Sequence, residues 1–297
     1  MALMIIVNID GDGELYKVGF SAAREEITDL PSVLHILDCN LSKILERTES
    51  THYRGFLTDS PSNFRIKAAF TLPYKGNRNS EKPPFFKELR EHVIDHWKFH
   101  DCVGIEADDA VIIAAHGDTV NGISSIVASP DKDSLQYAGK HYNSRTDESL
   151  VISDWQAKKN FAMQMITGDA VDNIRGLSGY HMQEGFKGIH RSFLYGKATA
   201  ESMLSEVPNP DDFLAMVYSE YCDMHCWYDV LIGEPLGTTG CQRFHESMAL
   251  LYMLREVPEG FPCEPLDLTL HESRCMIVDQ GYDIDDTGFE DESEGLL

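Results

Sequence analysis

Met4-Ile-Ile-Val-Asn-Ile-Asp-Gly11 is a β-branched apolar run that stops on a carboxylate and a glycine. Such a run predicts a buried strand whose C-terminal tip carries Asp10. The same unit recurs downstream. Tyr53 to Thr58 reads as a second strand ending at Asp59, and Ile123 to Ala128 as a third, running into Ser129-Pro-Asp-Lys-Asp133. Between them, Val33, Ile36, Leu37, Leu41, Ile44 and Leu45 stand at helical spacing, and Glu106-Ala-Asp-Asp-Ala-Val-Ile-Ile-Ala-Ala115 reads as a helix that opens on acids. Strand, helix and strand in alternation predict an α/β fold, a parallel sheet flanked by helices. Ligand sites of open parallel sheets gather beyond the carboxyl ends of the strands. Each acidic cluster of this chain falls at or near that edge.

One further cluster completes the set. Ile166-Thr-Gly-Asp-Ala-Val-Asp-Asn-Ile-Arg-Gly-Leu-Ser-Gly179 places Asp169 and Asp172 three residues apart at the end of an apolar helical run. The acidic positions are therefore Asp10, Asp59, Glu106, Asp108, Asp109, Asp131, Asp133, Asp169 and Asp172. Hard oxygen donors without paired His or Cys point to Mg²⁺ or Mn²⁺. Two such ions about 3.5–4 Å apart suit phosphodiester hydrolysis. Carboxylates gathered without a cation would repel one another. Asp109 reads either as a water-mediated ligand or as a helix cap, and Asp12 as solvent-facing. Cys222-Asp-Met-His-Cys226 lacks a second ligand pair, so no zinc is expected there. No Ser, Cys or Tyr stands in a nucleophile–base arrangement, so no covalent intermediate is expected.

The 297 residues allow one large or two moderate domains. The net charge of −24 argues against a nucleic-acid partner until its distribution is read. Residues 201–297 hold 3 basic and 22 acidic groups, whereas residues 61–100 hold 8 basic and 4 acidic. That basic stretch contains Tyr74-Lys-Gly-Asn-Arg78, then Lys82, Lys87 and Arg90 among Phe85, Phe86 and Trp97. Lys75 and Arg78, three apart, are predicted on one helix face and suited to phosphate. Tyr74 reads either as a base-stacking platform or as a core residue. Trp97, Trp155 and Trp227 read as core or semi-buried. From Gly176 onward the periodicity predicts helices over Phe186–Tyr195, Asp211–Cys226 and Gln242–Arg255. Residues 279–297 carry eight acidic groups and no basic one, which predicts a disordered, solubilising tail, with a basic replication protein as its alternative partner. No apolar run reaches membrane-spanning length, no signal-peptide pattern opens the chain, and seven scattered cysteines fit a reducing cytoplasm.

The ordered series Ile9-Asp-Gly-Asp12, Tyr74-Lys-Gly-Asn-Arg78, Ile105-Glu-Ala-Asp-Asp109, Asp131-Lys-Asp133 and Gly168-Asp-Ala-Val-Asp-Asn173 resembles the 5′ nuclease superfamily. That superfamily spans flap endonucleases, the 5′ nuclease domain of DNA polymerase I and phage 5′→3′ exonucleases, the short phage enzymes being nearest. The resemblance runs from Asp10 to about Tyr195. It implies a PIN-like catalytic domain over residues 1–175 with a helical arch at about 74–104, and a helix-hairpin-helix-type helical region over 176–278. It implies that Asp10, Asp59, Glu106 and Asp108 hold one metal, and that Asp131, Asp133, Asp169 and Asp172 hold or support a second. Lys75 would steady the scissile phosphate, while Arg78, Lys82, Lys87 and Arg90 would line the arch. Gly176 and Gly179 match the family's glycine turn, which often binds K⁺. The following Tyr180-His-Met-Gln-Glu184 departs from the compact family pattern by several residues. Lys187 and Arg191 read as duplex contacts or as a solvated helix face. The implied activity is Mg²⁺-dependent 5′→3′ exonuclease or flap cleavage of DNA, or of RNA primers in RNA–DNA hybrids. The chain would act as a monomer in the cytoplasm, that of the host if phage-encoded. A PIN-type ribonuclease and a non-catalytic, Ca²⁺-binding or DNA-mimicking acidic protein are the alternatives.

Overall fold

The computed structural model describes residues 4–59, 63–78, 81–180, 192–231 and 239–279. Strand β1 (Ile5–Asp10) lies at the centre of a seven-stranded sheet, parallel to β2 (His52–Asp59) on one side and to β4 (Ser124–Ala128) on the other. The far side of β2 is shared. Its C-terminal half pairs in parallel with β3 (His100–Val103), and its first residues pair antiparallel with β11 (His271–Glu272). Beyond β4 the sheet continues with a parallel β5 (Gly139–Asn143) and closes on an antiparallel β6 (Glu148–Ile152). Ile9 stands opposite both Gly55 and Ala128, so Asp10 lies level with Phe56 and one residue past the end of β4. The predicted acidic tips of β1, β2 and β4 are thus neighbours along one edge.

Both faces of the sheet are covered. Helices α1 (Gly11–Arg24), α2 (Leu30–Arg47) and α4 (Phe86–Asp95) bury Leu15, Val18, Leu37, Leu41, Leu89 and Val93 against one face, joined by Trp97 just past α4. Helix α5 (Ala107–Val120) packs Ala110, Val111 and Ala114 on the other. Helices α6 (Asp154–Thr167), α7 (Lys197–Ser205), α8 (Phe213–Leu231) and α9 (Gly240–Leu251) form a further core around Phe161, Met165, Tyr221 and Phe244. Among the described residues no helix is long and apolar enough to cross a membrane.

Three local expectations change. Residues 74–77 form a turn, and Lys75 adopts φ 55°, so Lys75 and Arg78 do not share a helix face. Pro73, Gly76 and Asn77 favour turns over helix. Ser178–Tyr180 is a strand, β9, paired antiparallel with β10 (Ser192–Leu194), where a glycine turn and a helix over 186–195 were expected. Gly168 and Gly176 approach backbone to backbone, which a side chain at either would block, and the chain leaves α6 extended through two short paired strands, β7 (Gly168–Asp169) and β8 (Ile174–Arg175). Residues 181–191, with Lys187 and Arg191, and the tail beyond Asp279 lie outside the described residues. Trp97 is buried, whereas Trp155 is 47% exposed beneath the Lys159 ammonium. The Trp227 side chain lies outside the described set.

Candidate functional site

Asp10 ends β1 and caps α1, accepting from the Gly13 N–H at 3.4 Å and from Ser129 Oγ at 3.0 Å. Neither partner carries charge. Burial, reinforced by Asp12, pushes its carboxyl up to about 7. Asp12 is half-buried and accepts from the Thr58 N–H at 3.1 Å, which corrects the solvent-facing expectation. The first turn of α1 is folded under the end of β2, so its carboxylate points into the sheet edge. Asp59 closes β2 opposite Val103 of β3.

Across β2 and β3, Glu106 caps α5. Its carboxylate accepts from Tyr74 Oη at 2.8 Å, from Arg65 at 3.3 Å and from Lys75. Burial raises this carboxyl, but the two cations outweigh it and hold it below the usual range. Asp109 is fully buried, and Arg65 of the short helix α3 (Phe64–Ala68) clasps both its oxygens. It also completes a capping box with Glu106. Of its two readings, the cap is the one its geometry shows. Asp108, next to it, accepts only its neighbour's N–H among the bonds described. Burial, then Glu106 and Asp109, raise its carboxyl well above the ordinary value.

The loop 170–173 brings the last acids. Asp172 stands 2.9 Å from the same Tyr74 Oη, whose single proton serves one of the two carboxylates at a time, accepts from Arg78, and lies 3.9 Å from Lys75 Nζ. The Lys75 N–H donates to the Asp172 carbonyl at 2.9 Å. Tyr74, Lys75 and Arg78 are therefore brought together with Glu106 and Asp172, although they are not helical. Tyr74 is half-buried, and burial against these carboxylates raises its hydroxyl strongly. Asp169 accepts from Lys132 Nζ at 2.7 Å and from the Val171 N–H at 2.8 Å. Burial opposes its ionisation, but Lys132 prevails and keeps it low. Asp133 accepts from Gln164 and lies 3.7 Å from Lys132, yet burial and Asp131 push it up to about 7. Asp131, exposed, joins this group to Asp10, since its N–H donates to the same Ser129 Oγ that donates to Asp10.

The basic helix behaves differently from the expected arch. Leu89 and Val93 pack α4 down on α1 and α2, and Arg90 turns to Asp101 of β3 at 2.6 Å. Lys87 is exposed and pairs with Glu91 at 3.6 Å, and Lys82 lies 4.6 Å above the Phe86 ring. Gly176 sits against the α6 C-terminus for packing reasons, and Gly179 lies in β9. Arg65 and Lys132, which pair with Asp109 and Asp169, were missed by sequence reasoning. Arg65 lies in the five-residue helix α3 and its partner Asp109 is 44 positions away, so no local spacing announces the pair.

No family model matches the chain. It is 31% identical over 119 residues to the DNA polymerase I of Rhizobium leguminosarum, a match covering 36% of this chain and 12% of the polymerase. Solved structures of bacteriophage T5 proteins share its fold. A mutant T5 5′-exonuclease superposes with a TM-score of 0.50 at 14% identity, covering 85% of this chain and 88% of that one. A T5 flap endonuclease, in a pseudo-enzyme-product complex with DNA and metal ions, reaches 0.54 at 15% identity over 84% and 89%. The mixed, mostly parallel sheet flanked by helices thus has the fold of the T5 exonuclease.

Proposed function

We propose that the chain is a divalent-metal-dependent 5′ nuclease that hydrolyses DNA phosphodiesters at 5′ ends and flaps, in a replication or recombination setting. The observation that carries this reading is the charge imbalance at the sheet edge. Asp10, Asp108 and Asp133 are raised carboxyls, because burial at each exceeds its compensation by the protein's own cations. Among the described residues no three of these acids already stand in an ion-holding group. The donor set is nevertheless all oxygen and short of positive charge, which fits a hard cation. Asp10 and Asp108 with Glu106 and Asp59 would hold one ion, and Asp131, Asp133, Asp169 and Asp172 a second. Bound there, Mg²⁺ or Mn²⁺ supplies charge stabilisation at the phosphoryl oxygens and activation of water.

The protein's own groups supply recognition. Lys75 and Arg78 present an ammonium and a planar guanidinium beside the acids, and phosphate can replace Glu106 and Asp172 as their partner. Tyr74 bridges Glu106 and Asp172, so its hydroxyl sets the spacing of those two segments. The likeness to a T5 flap endonuclease solved with DNA and metal ions supports the same reading.

Digestion of 5′-labelled flap, nicked and blunt DNA duplexes, with and without Mg²⁺ or Mn²⁺, tests it. Release of short 5′-labelled products only with the ion is expected. Intact DNA under every condition would refute the proposal, and cleavage confined to matched RNA flaps would turn it toward a ribonuclease.

A further inference from the structure

Glu246 lies on α9, distant in sequence from every acid discussed so far, and is 6% exposed. Its Oε1 accepts from the Phe70 and Thr71 N–H groups, each at 2.6 Å, and its Oε2 accepts from Thr71 Oγ. A carboxylate accepts only, so three donors converging on it define one orientation of that backbone. Residues 69–73 belong to no helix or strand. Three residues beyond Thr71 the chain reaches Tyr74 and Lys75. The far end of the segment is held elsewhere: Asn173 Nδ2 donates to the Pro73 carbonyl at 2.9 Å, and Asn77 Nδ2 to the Ala170 carbonyl at 2.7 Å. The same helix also reaches the Glu106 side. The Leu250 carbonyl accepts from Arg65 Nε at 2.9 Å, and Arg65 clasps Asp109 and touches Glu106.

We infer that Glu246 is a positioning residue, which anchors the entry of the 70–78 segment so that Tyr74, Lys75 and Arg78 meet the acids in register. The inference rests on the nuclease reading for its kinetic consequence, and on geometry alone for its effect on the segment. A misplacement of about 1 Å in a positioning element can cost up to about 10²-fold in rate.

The test compares Glu246→Ala, Glu246→Gln and Thr71→Val in the full chain, by steady-state flap cleavage with Mn²⁺ and by hydrogen exchange of residues 70–78. Glu246→Ala is expected to lower kcat about tenfold while KM for DNA stays within threefold. Exchange of the Lys75 and Gly76 amides should rise about tenfold as the segment loosens. Glu246→Gln keeps Oε1 for both N–H groups and should recover most of kcat. Unchanged kcat and unchanged exchange in a folded Glu246→Ala protein would overturn the inference. If that variant does not fold, Thr71→Val, which removes one donor of three, decides it: faster exchange of the segment supports the inference, and wild-type exchange overturns it. A wild-type chain that cuts nothing refutes the nuclease reading, and the exchange measurement still judges Glu246.

Discussion

At the α5 end of the acidic edge Glu106, Asp109 and Asp172 each have a cation of the protein against them, whereas Asp10 and Asp133 are buried faster than they are compensated. Lys75 and Arg65 draw the Glu106 carboxyl down, and nothing of equal strength does so for Asp10. The difference teaches how such an edge stays folded before any ion arrives. Glu106, Asp109 and Asp172 are closed by arginine and lysine and serve as frame. Asp10, Asp108 and Asp133 are left short of positive charge, and there an added cation gains most. The Arg65–Asp109 pair belongs to the frame, since both side chains are fully buried.

The sharpest break of this comparison is Asp10→Asn. If Asp10 holds the ion as proposed, its removal should cost several kcal/mol of transition-state stabilisation, a rate loss of about 10³, with DNA affinity retained. Single-turnover cleavage beside gel-shift titration measures both, and wild-type turnover would end the assignment of Asp10. Arg65→Met should act on the frame. It leaves Asp109 buried without its partner, at a cost of about 3–5 kcal/mol read by denaturant unfolding. Asp10→Asn should instead stabilise the metal-free chain, and the opposite signs are the test of the contrast.

A third consequence is pH-dependent. Asp10 and Asp133 titrate near 7 in the fold and near 3.8 unfolded. Between these values the folded chain binds more protons, so these two carboxyls make metal-free stability fall as pH rises from about 4 to 7 and level off above. Glu106 and Asp169, held low, add their stability above about pH 4 and leave the upper part of that window unchanged. The rise in Tm on adding Mn²⁺ should therefore be larger at pH 7.5 than at pH 5.5, and an equal rise at both would contradict the raised carboxyls. The smallest effect is expected at Lys132, whose side chain is 60% exposed although its ammonium sits 2.7 Å from Asp169. Lys132→Met should tighten Mn²⁺ binding only about two- to threefold, because an exposed ion pair is worth about 0–1 kcal/mol. Weaker Mn²⁺ binding in a calorimetric titration would mean that Lys132 organises the site instead of competing for it.

Much of the framework was legible because its causes are local. The β-branched apolar run Ile5–Ile9 and the Asp10 that ends it announced a buried strand with an acidic tip, and the helical period of Val33 to Leu45 announced α2. Asp109 stayed ambiguous, since a capping acid and a ligand acid have the same local sequence. Only the arrival of Arg65 from α3 separates them. The turn at 74–77 was misread because a three-residue spacing of Lys75 and Arg78 suits a helix, while Pro73 and Gly76 argue against one. The β5–β6 hairpin and the pairing of β9 with β10 gave no periodic signal strong enough to read.

The amino-acid order alone determined strands β1, β2 and β4 and helices α2 and α5, and therefore which carboxylates stand at the sheet edge, because periodicity and capping are interactions among near neighbours. Which of those carboxylates is neutralised, by Arg65, Lys75, Arg78 or Lys132, was decided only when the chain closed on itself. Electrostatic compensation depends on distance in space and on burial, and neither is written in the spacing of residues along the chain.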